Sequence, residues 1–286
     1  MRKTILIFLT TLLFCMMVAA QQPQPQPLTF FYEYTVLPGK EAAFMDLVKT
    51  VGAPVRDKLM ADGVVQAWGI ETPILRYPGG MTHLIWFSVE NWAGVEKVLN
   101  GMEAQQAKLA AEEARAADAA RTSRQKPAQT TAEKIREVFD MSKTRDWLTR
   151  DIVSGFTTAA PPANLLPYTR YNFVKVRPGK AREYRLAWEK YNKPVYDKLV
   201  ADGVVLAYGL SVEEVKTDGE FTHFIWVGTA NMAIADKIGP AFAADRARRS
   251  EEERAAIAAR FGDLLETDKS RSMLTRSLIF KVAPQK

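Results

Sequence analysis

The chain has 286 residues, of which 25% are charged and 47% hydrophobic, and its formal net charge is +6. It contains one cysteine, which excludes an intrachain disulfide framework and a multi-cysteine metal site. A chain of this length can bury a stable core without disulfides. The lysines and arginines are spread evenly, with no basic stripe interleaved with aromatic residues, and this argues against a nucleic-acid partner.

Residues 1–20 have the pattern of a secretory signal peptide. Two basic residues precede an apolar run over positions 5–18, and small residues follow it. The run is shorter than the roughly 20 residues that a transmembrane helix needs. We therefore expect export, to a periplasm or to the outside of the cell, after cleavage near Ala20. Cleavage would remove Cys15, and we expect no membrane span in the mature chain. Residues 21–28 are rich in Gln and Pro and predict a disordered spacer.

An internal repeat dominates the rest of the chain. The segment 82–86, Thr-His-Leu-Ile-Trp, returns at 222–226 as Thr-His-Phe-Ile-Trp, and the sequence contains no other histidine. The offset of about 140 residues holds without a gap from the region of 36–97 to that of 176–237. Two copies of one structural unit are therefore expected.

In chain order, the first copy begins with an aromatic and β-branched strand over residues 30–37. A helical pattern follows, and Pro54 within it predicts a break. Gly63 is expected to end that helix in a left-handed conformation. Strands over 64–75 and 81–89 then form a hairpin.

The second half of the first copy starts at Asn91, a plausible helix N-cap. The helix that follows is rich in Ala, Glu and Arg to about residue 124, and a further helix is predicted over 132–143. A last strand over 147–156 is echoed at 273–279. Each copy thus has the order β-α-β-β-α-β, with repeats over 29–156 and 169–286 and a Pro-rich linker over 157–168.

This order and the tandem repeat resemble the dimeric α/β-barrel superfamily, which includes antibiotic-biosynthesis-type monooxygenases, EthD-like and NIPSNAP-like proteins. The resemblance implies an α+β fold in which two ferredoxin-like units pack sheet to sheet, here fused in one chain. It implies either a monomer with pseudo-twofold symmetry or a higher oligomer. No family-specific active-site motif can be matched, so the resemblance leaves the reaction type open.

Histidine suits proton transfer near neutral pH, which makes His83 and His223 the first candidates for catalysis or ligand binding. The alternative is a buried, hydrogen-bonded histidine that both copies need for packing. Strand alternation puts His83 and Trp86 on opposite faces of the sheet. The sequence does not decide which of these faces lines the inter-sheet space. If the first and third strands are neighbours, Glu33 could orient His83 as a general base.

Aromatic residues on the strands are candidates for lining a small-molecule pocket. They are Trp86, Trp226, Trp68 and Tyr208, with core packing as the alternative. The opposite face of the second strand is small, and Gly69 belongs to it. Small residues suit a close helix, so we expect Trp68 and Tyr208 to point into the barrel.

Three functions remain open. The protein could bind a small apolar or aromatic molecule between the sheets, act as a cofactor-independent oxygenase or isomerase through His83, or serve as a structural or interaction protein with a packed barrel. The sequence carries no zinc, calcium, P-loop or dinucleotide-binding pattern, so it demands no metal and no cofactor.

Overall fold

A computed structural model describes residues 26–76, 80–157, 167–217 and 220–284. The predicted signal peptide and most of the linker lie outside these ranges.

The first repeat has the predicted order of elements, including the break in its first helical region and the two helices in its second. Its strands are β1 (Leu28–Tyr34), β2 (Val65–Pro73), β3 (His83–Val89) and β4 (Arg145–Phe156). Its α-helices are α1 (Glu41–Leu47), α2 (Ala53–Ala61), α3 (Trp92–Thr122) and α4 (Thr131–Val138). A π-helical turn, Val48–Gly52, joins α1 to α2, and a 3-10 helix, Met141–Lys143, precedes β4.

The second repeat follows the same plan. Its strands are β5 (Tyr168–Val174), β6 (Ala207–Glu213), β7 (His223–Thr229) and β8 (Arg271–Val282). Its α-helices are α5 (Ala181–Tyr191), α6 (Lys193–Ala201), α7 (Met232–Ala235), α8 (Ile238–Ala247) and α9 (Glu251–Leu264), and a 3-10 helix, Thr267–Lys269, precedes β8.

The proline, glycine and asparagine that were predicted to mark element boundaries do so. Pro54 lies in the first turn of α2, directly after the break, and its missing N–H is harmless there. Gly63 follows α2 with a φ of 75°, in the left-handed region. Asn91 caps α3 by accepting a hydrogen bond from the Gly94 N–H at 3.1 Å. These predictions are confirmed.

The eight strands form one closed antiparallel barrel. Within each repeat the spatial order is ferredoxin-like, β4-β1-β3-β2 and β8-β5-β7-β6. The repeats join where β2 pairs with β8 and where β4 pairs with β6. We call these two pairings the joints. The predicted α+β fold, two ferredoxin-like units forming an intrachain barrel, is confirmed.

Across the ranges given above, the protein buries three apolar clusters. Two lie between strands and the helices of one repeat, and each also takes in residues of the other repeat's last strand: Val153 in one, Leu278 and Ile279 in the other. The third, which we call the inner cluster, fills part of the barrel and draws on both repeats. Its members are Phe31, Leu84, Trp147, Tyr171, Phe173, Phe221 and Phe224. Their rings pack closely, with the centroids of Phe31 and Trp147 3.9 Å apart. Burying each of these large side chains contributes roughly 1.5–3 kcal/mol, so the inner cluster is a major part of what holds the repeats together.

Candidate ligand-binding site

The repeated Thr-His-x-Ile-Trp strand presents its two faces to different surroundings. On β3, Leu84 and Trp86 point into the barrel, where Leu84 belongs to the inner cluster and Trp86 packs against it. Ile85 and Phe87 pack under the helices of the first repeat. Because side chains alternate along a strand, His83 lies on the helix side and outside the barrel.

Both histidines occupy the same kind of packed position. The His83 ring lies 4.3 Å from the Phe44 ring, and its Nδ1 is 2.9 Å from the hydroxyl of Thr82. His223 lies 5.3 Å from the Tyr184 ring and is bonded to its neighbouring threonine in the same way. Burial lowers the pKa of each histidine to about 4. The imidazoles are therefore neutral at physiological pH, and their position favours the packing role that the sequence left open.

Trp68 and Tyr208 also face the helices, so the predicted orientation of both is wrong. Each is fully buried. The Trp68 indole N–H donates to the Asp57 carboxylate on α2 at 3.0 Å, and the Tyr208 hydroxyl donates to Asp197 on α6. These bonds tie a strand to its own helix layer.

Gly69 on β2 and Gly209 on β6 face the barrel, and an indole ring lies directly beside each of them. A Cβ atom at Gly69 would lie 2.9 Å from the Trp86 ring, and one at Gly209 would lie 2.5 Å from the Trp226 ring. Both distances are too short for a real contact. The glycines therefore make room for the two tryptophans inside the barrel, and the helices do not require them.

Glu33 is inside the barrel but does not meet His83, so the predicted acid–base pair is wrong. Leu84 is the residue opposite Glu33 in the β1–β3 ladder, which puts the His83 side chain on the other face. The Glu33 carboxylate instead accepts from Nε and Nη2 of Arg145, each at 3.1 Å. It also accepts from the Trp147 indole N–H at 3.1 Å.

A fully buried carboxylate, Glu71, lies at the β2–β8 joint. It accepts from the Trp86 indole N–H at 2.9 Å and from the Tyr171 hydroxyl at 3.1 and 3.2 Å. The Thr275 hydroxyl also donates to it. Burial raises the pKa of Glu71, although these donors act in the opposite direction. Two of the three donors come from the second repeat, so this network links the repeats.

The β4–β6 joint carries a corresponding network, in which the carboxylate lies on the last strand of the first repeat and not on its second strand. Here the buried carboxylate is Asp151, on β4, and the Ser211 hydroxyl on β6 donates to it. The Trp226 indole N–H lies 3.1 Å from the Ser211 oxygen and 3.4 Å from the carboxylate. Burial raises the pKa of Asp151 to about 6.

The sequence analysis missed Glu71 and Asp151, the carboxylates of the two joint networks. Their counterparts in the repeat alignment are serines: Ser211 stands for Glu71, and Ser277 stands for Asp151. Glu71 faces Ser277 across one joint, and Asp151 faces Ser211 across the other. A search for matched inner positions with unlike residues would have found them.

The repeats also differ at one end of the barrel, where aromatic rings fill one side and the other side is open. On the filled side, the Trp147 ring packs edge-on against Phe221 at 5.4 Å and Phe224 at 5.5 Å. At the equivalent positions of the other side, Met273 replaces Trp147 and Met81 replaces Phe221. Methionine occupies less volume than these rings, and its side chain adapts to what it contacts.

A cleft of about 830 Å³ lies on the side with the methionines. Its apolar lining comes from Pro73, Leu75, Met81, Met273 and Leu274. Its polar lining comes from Arg76, Lys175, Glu220, Lys269, Arg271 and Ser272. The cleft thus combines an apolar wall with four cations and one carboxylate, and none of the candidate residues chosen from the sequence lines it.

Solved structures with this architecture confirm the fold. A candidate monooxygenase from Fusobacterium nucleatum superimposes over 92% of this chain and 97% of its own, with a TM-score of 0.58 and 9% identity. A second candidate monooxygenase, from Lactobacillus acidophilus, covers 90% and 97% with a TM-score of 0.55 and 9% identity. An anthrone oxidase-like protein covers 92% and 96% with a TM-score of 0.51 and 13% identity. At such identities the likeness establishes the fold alone.

No family model and no curated protein matches the sequence. Among the described residues, no group of three or more His, Cys, Asp or Glu side chains is placed to hold a metal ion. Over the same ranges, no helix is both long and apolar enough to cross a bilayer.

Proposed function

We propose that the protein binds a small amphipathic organic molecule in the cleft that Met81, Arg271 and Met273 help to line. The observation that carries this proposal is the replacement of Trp147 and Phe221 by Met273 and Met81 at the equivalent end of the other repeat. One side of the barrel end is closed by rings, and the other is a cleft of about 830 Å³, a volume typical of small-molecule sites.

This site differs in place from a pocket between the sheets. Elsewhere the interior of the barrel is packed by other residues of the inner cluster and by the Trp86 and Trp226 networks. A ligand is therefore more easily accommodated at the barrel end, where the side chains that would exclude it are shorter.

The alternative of an oxygenase or isomerase acting through His83 has less support. The imidazole lies under α1 with a pKa lowered to about 4, and Glu33 is engaged by Arg145. A purely structural protein is the other alternative, and the packed interior is compatible with it. The open cleft is what favours binding. We also propose export after cleavage near Ala20, which N-terminal sequencing of the mature protein would test.

Binding can be tested with 8-anilinonaphthalene-1-sulfonate, an amphipathic fluorescent probe. The variant Met81→Phe/Met273→Trp gives the open side the residues of the filled side. We expect saturable binding to wild type and at least a tenfold loss in the variant. Met141→Phe adds a ring at an exposed site elsewhere and should leave binding unchanged. Equal affinity in all three proteins would place the probe elsewhere and overturn the proposal.

A further inference from the structure

The last strand of each repeat begins with an arginine, and the two arginines are equivalent in the repeat alignment. Arg145 is the first residue of β4 and Arg271 is the first residue of β8. Arg145 shows how this position holds a carboxylate, because its Nε and Nη2 both donate to Glu33. This side-on, two-point geometry is the one by which arginine recognises planar oxyanions.

The second repeat keeps the arginine and has lost the carboxylate. Phe173 occupies the position equivalent to Glu33, and the Arg271 guanidinium carbon lies 4.5 Å from the centre of its ring. Within the described residues, Nε and Nη2 of Arg271 are buried and make no hydrogen bond. Nη2 has only a longer ionic contact, 3.5 Å to Glu220. Leaving such donors unsatisfied costs about 1–3 kcal/mol or more for each group.

We infer that the molecule bound in the cleft carries a carboxylate, or an oxyanion of similar planar shape, and that Arg271 binds it. This inference rests on the proposed binding function, because Arg271 lines the same cleft. The bound carboxylate would supply Arg271 with the acceptor that Glu33 supplies to Arg145. The Phe173 ring beneath the guanidinium holds its plane in place for that contact.

The charges around the cleft agree with an anion. Arg76, Lys175 and Lys269 line it together with Arg271, against the single carboxylate of Glu220. Glu220 is itself in an ion pair with Arg145 at 3.0 Å, which offsets part of its repulsion. The apolar wall suits the hydrocarbon or aromatic body of the same molecule, so the expected ligand class is a small hydrophobic carboxylate.

Two probes of the same size separate the charge from the apolar body: 2-naphthoate, which is an anion, and 2-naphthamide, which is neutral. Isothermal calorimetry would measure both on the whole protein. We expect wild type to prefer the carboxylate by about tenfold or more, in line with a charged hydrogen-bond pair. Arg271→Met should bring the two affinities within about threefold while retaining the amide affinity. Arg276→Gln, which removes an exposed arginine of the same strand that is not in the cleft, should keep the preference.

A second variant tests the role of Arg271 by giving it a carboxylate from within the protein. Phe173→Glu gives Arg271 an internal carboxylate like Glu33 and should also abolish the preference for naphthoate. Equal binding of the two probes to wild type would overturn the carboxylate inference and leave the binding site standing. A preference that survives in both Arg271→Met and Phe173→Glu would overturn it as well. Absence of saturable binding by either probe would overturn the proposed site together with the inference.

Discussion

Asp151 makes the stability of the fold depend on pH, with a sign and size that follow from its burial. Its pKa is raised from 3.8 to about 6. Between these values the folded protein keeps a proton on Asp151 that the unfolded chain has released. Stability therefore falls as the pH rises from about 4 to about 6, and it is not regained above that range. A shift of about two pKa units corresponds to roughly 3 kcal/mol.

The substitution Asp151→Asn removes this ionisation and retains a side chain of similar size. The amide can still accept from Ser211, and its extra N–H groups carry a cost that does not change with pH. We expect the unfolding free energy of the variant minus that of wild type to rise by roughly 2.5 kcal/mol between pH 4 and pH 7, because a small part of the full shift already occurs below pH 4. Above pH 7 the difference should stay constant.

Urea unfolding of both proteins at pH 4, 5, 6, 7 and 8 measures this difference. The subtraction removes the other buried groups, which the two proteins share. Glu71, whose pKa is raised, acts with the same sign, and the two histidines, whose pKa values are lowered, act with the opposite sign. A difference that stays within about 1 kcal/mol from pH 4 to pH 7 would refute the reasoning, because it would mean that the ionised carboxylate is not destabilised by burial.

Two further predictions concern the packing inside and outside the barrel. Gly69→Ala should destabilise the fold by about 1–3 kcal/mol in thermal melts, because the new Cβ would lie 2.9 Å from both the Trp86 ring and the backbone oxygen of Ile279. The control is Gly262→Ala in α9, where the space around the glycine is open. It should be neutral or stabilising by up to about 1 kcal/mol in the same melts. NMR titration of the imidazole signals should give pKa values of about 4 for His83 and His223, so that their protonation destabilises the fold as the pH falls from about 6.5 to 4; values at or above 6.5 would contradict their burial.

The topology was predictable because the repeat and the local turn signals agree. Pro54, Gly63 and Asn91 each mark an element boundary by their own backbone or capping chemistry. The second copy repeats these boundaries, and two matching units predict a shared barrel. None of this depends on which way a given side chain points.

The strand faces were not predictable because both are buried. The helices cover the outer face of the barrel, and the inner cluster fills the other, so neither face of β2 or β3 shows the polar pattern that marks solvent. A register shift between Val65 and Ala67 also breaks the simple alternation along β2. Val65 therefore packs under the helices while Gly69, four residues later, faces the barrel.

The predicted site failed for a related reason. β1 and β3 are neighbours, as expected, but Glu33 stands one residue out of phase with His83 in their ladder. A shift of one residue reverses the face of a strand side chain. The cleft and the two carboxylates emerge only when the two repeats are compared position by position inside the barrel.

The inner positions also explain why unlike repeats pair. The carboxylates of the two joint networks, Glu71 and Asp151, belong to the first repeat, and each faces a serine of the second. Two first repeats would set Glu71 against Asp151 at both joints, and two such carboxyl groups cannot both ionise cheaply in a buried site. Two second repeats would set Ser211 against Ser277 and leave the indole of Trp226 without a carboxylate partner. The charges thus favour the intrachain pair, and because that pair is unlike, one side of its end can be closed by aromatic rings while the other remains open to a ligand.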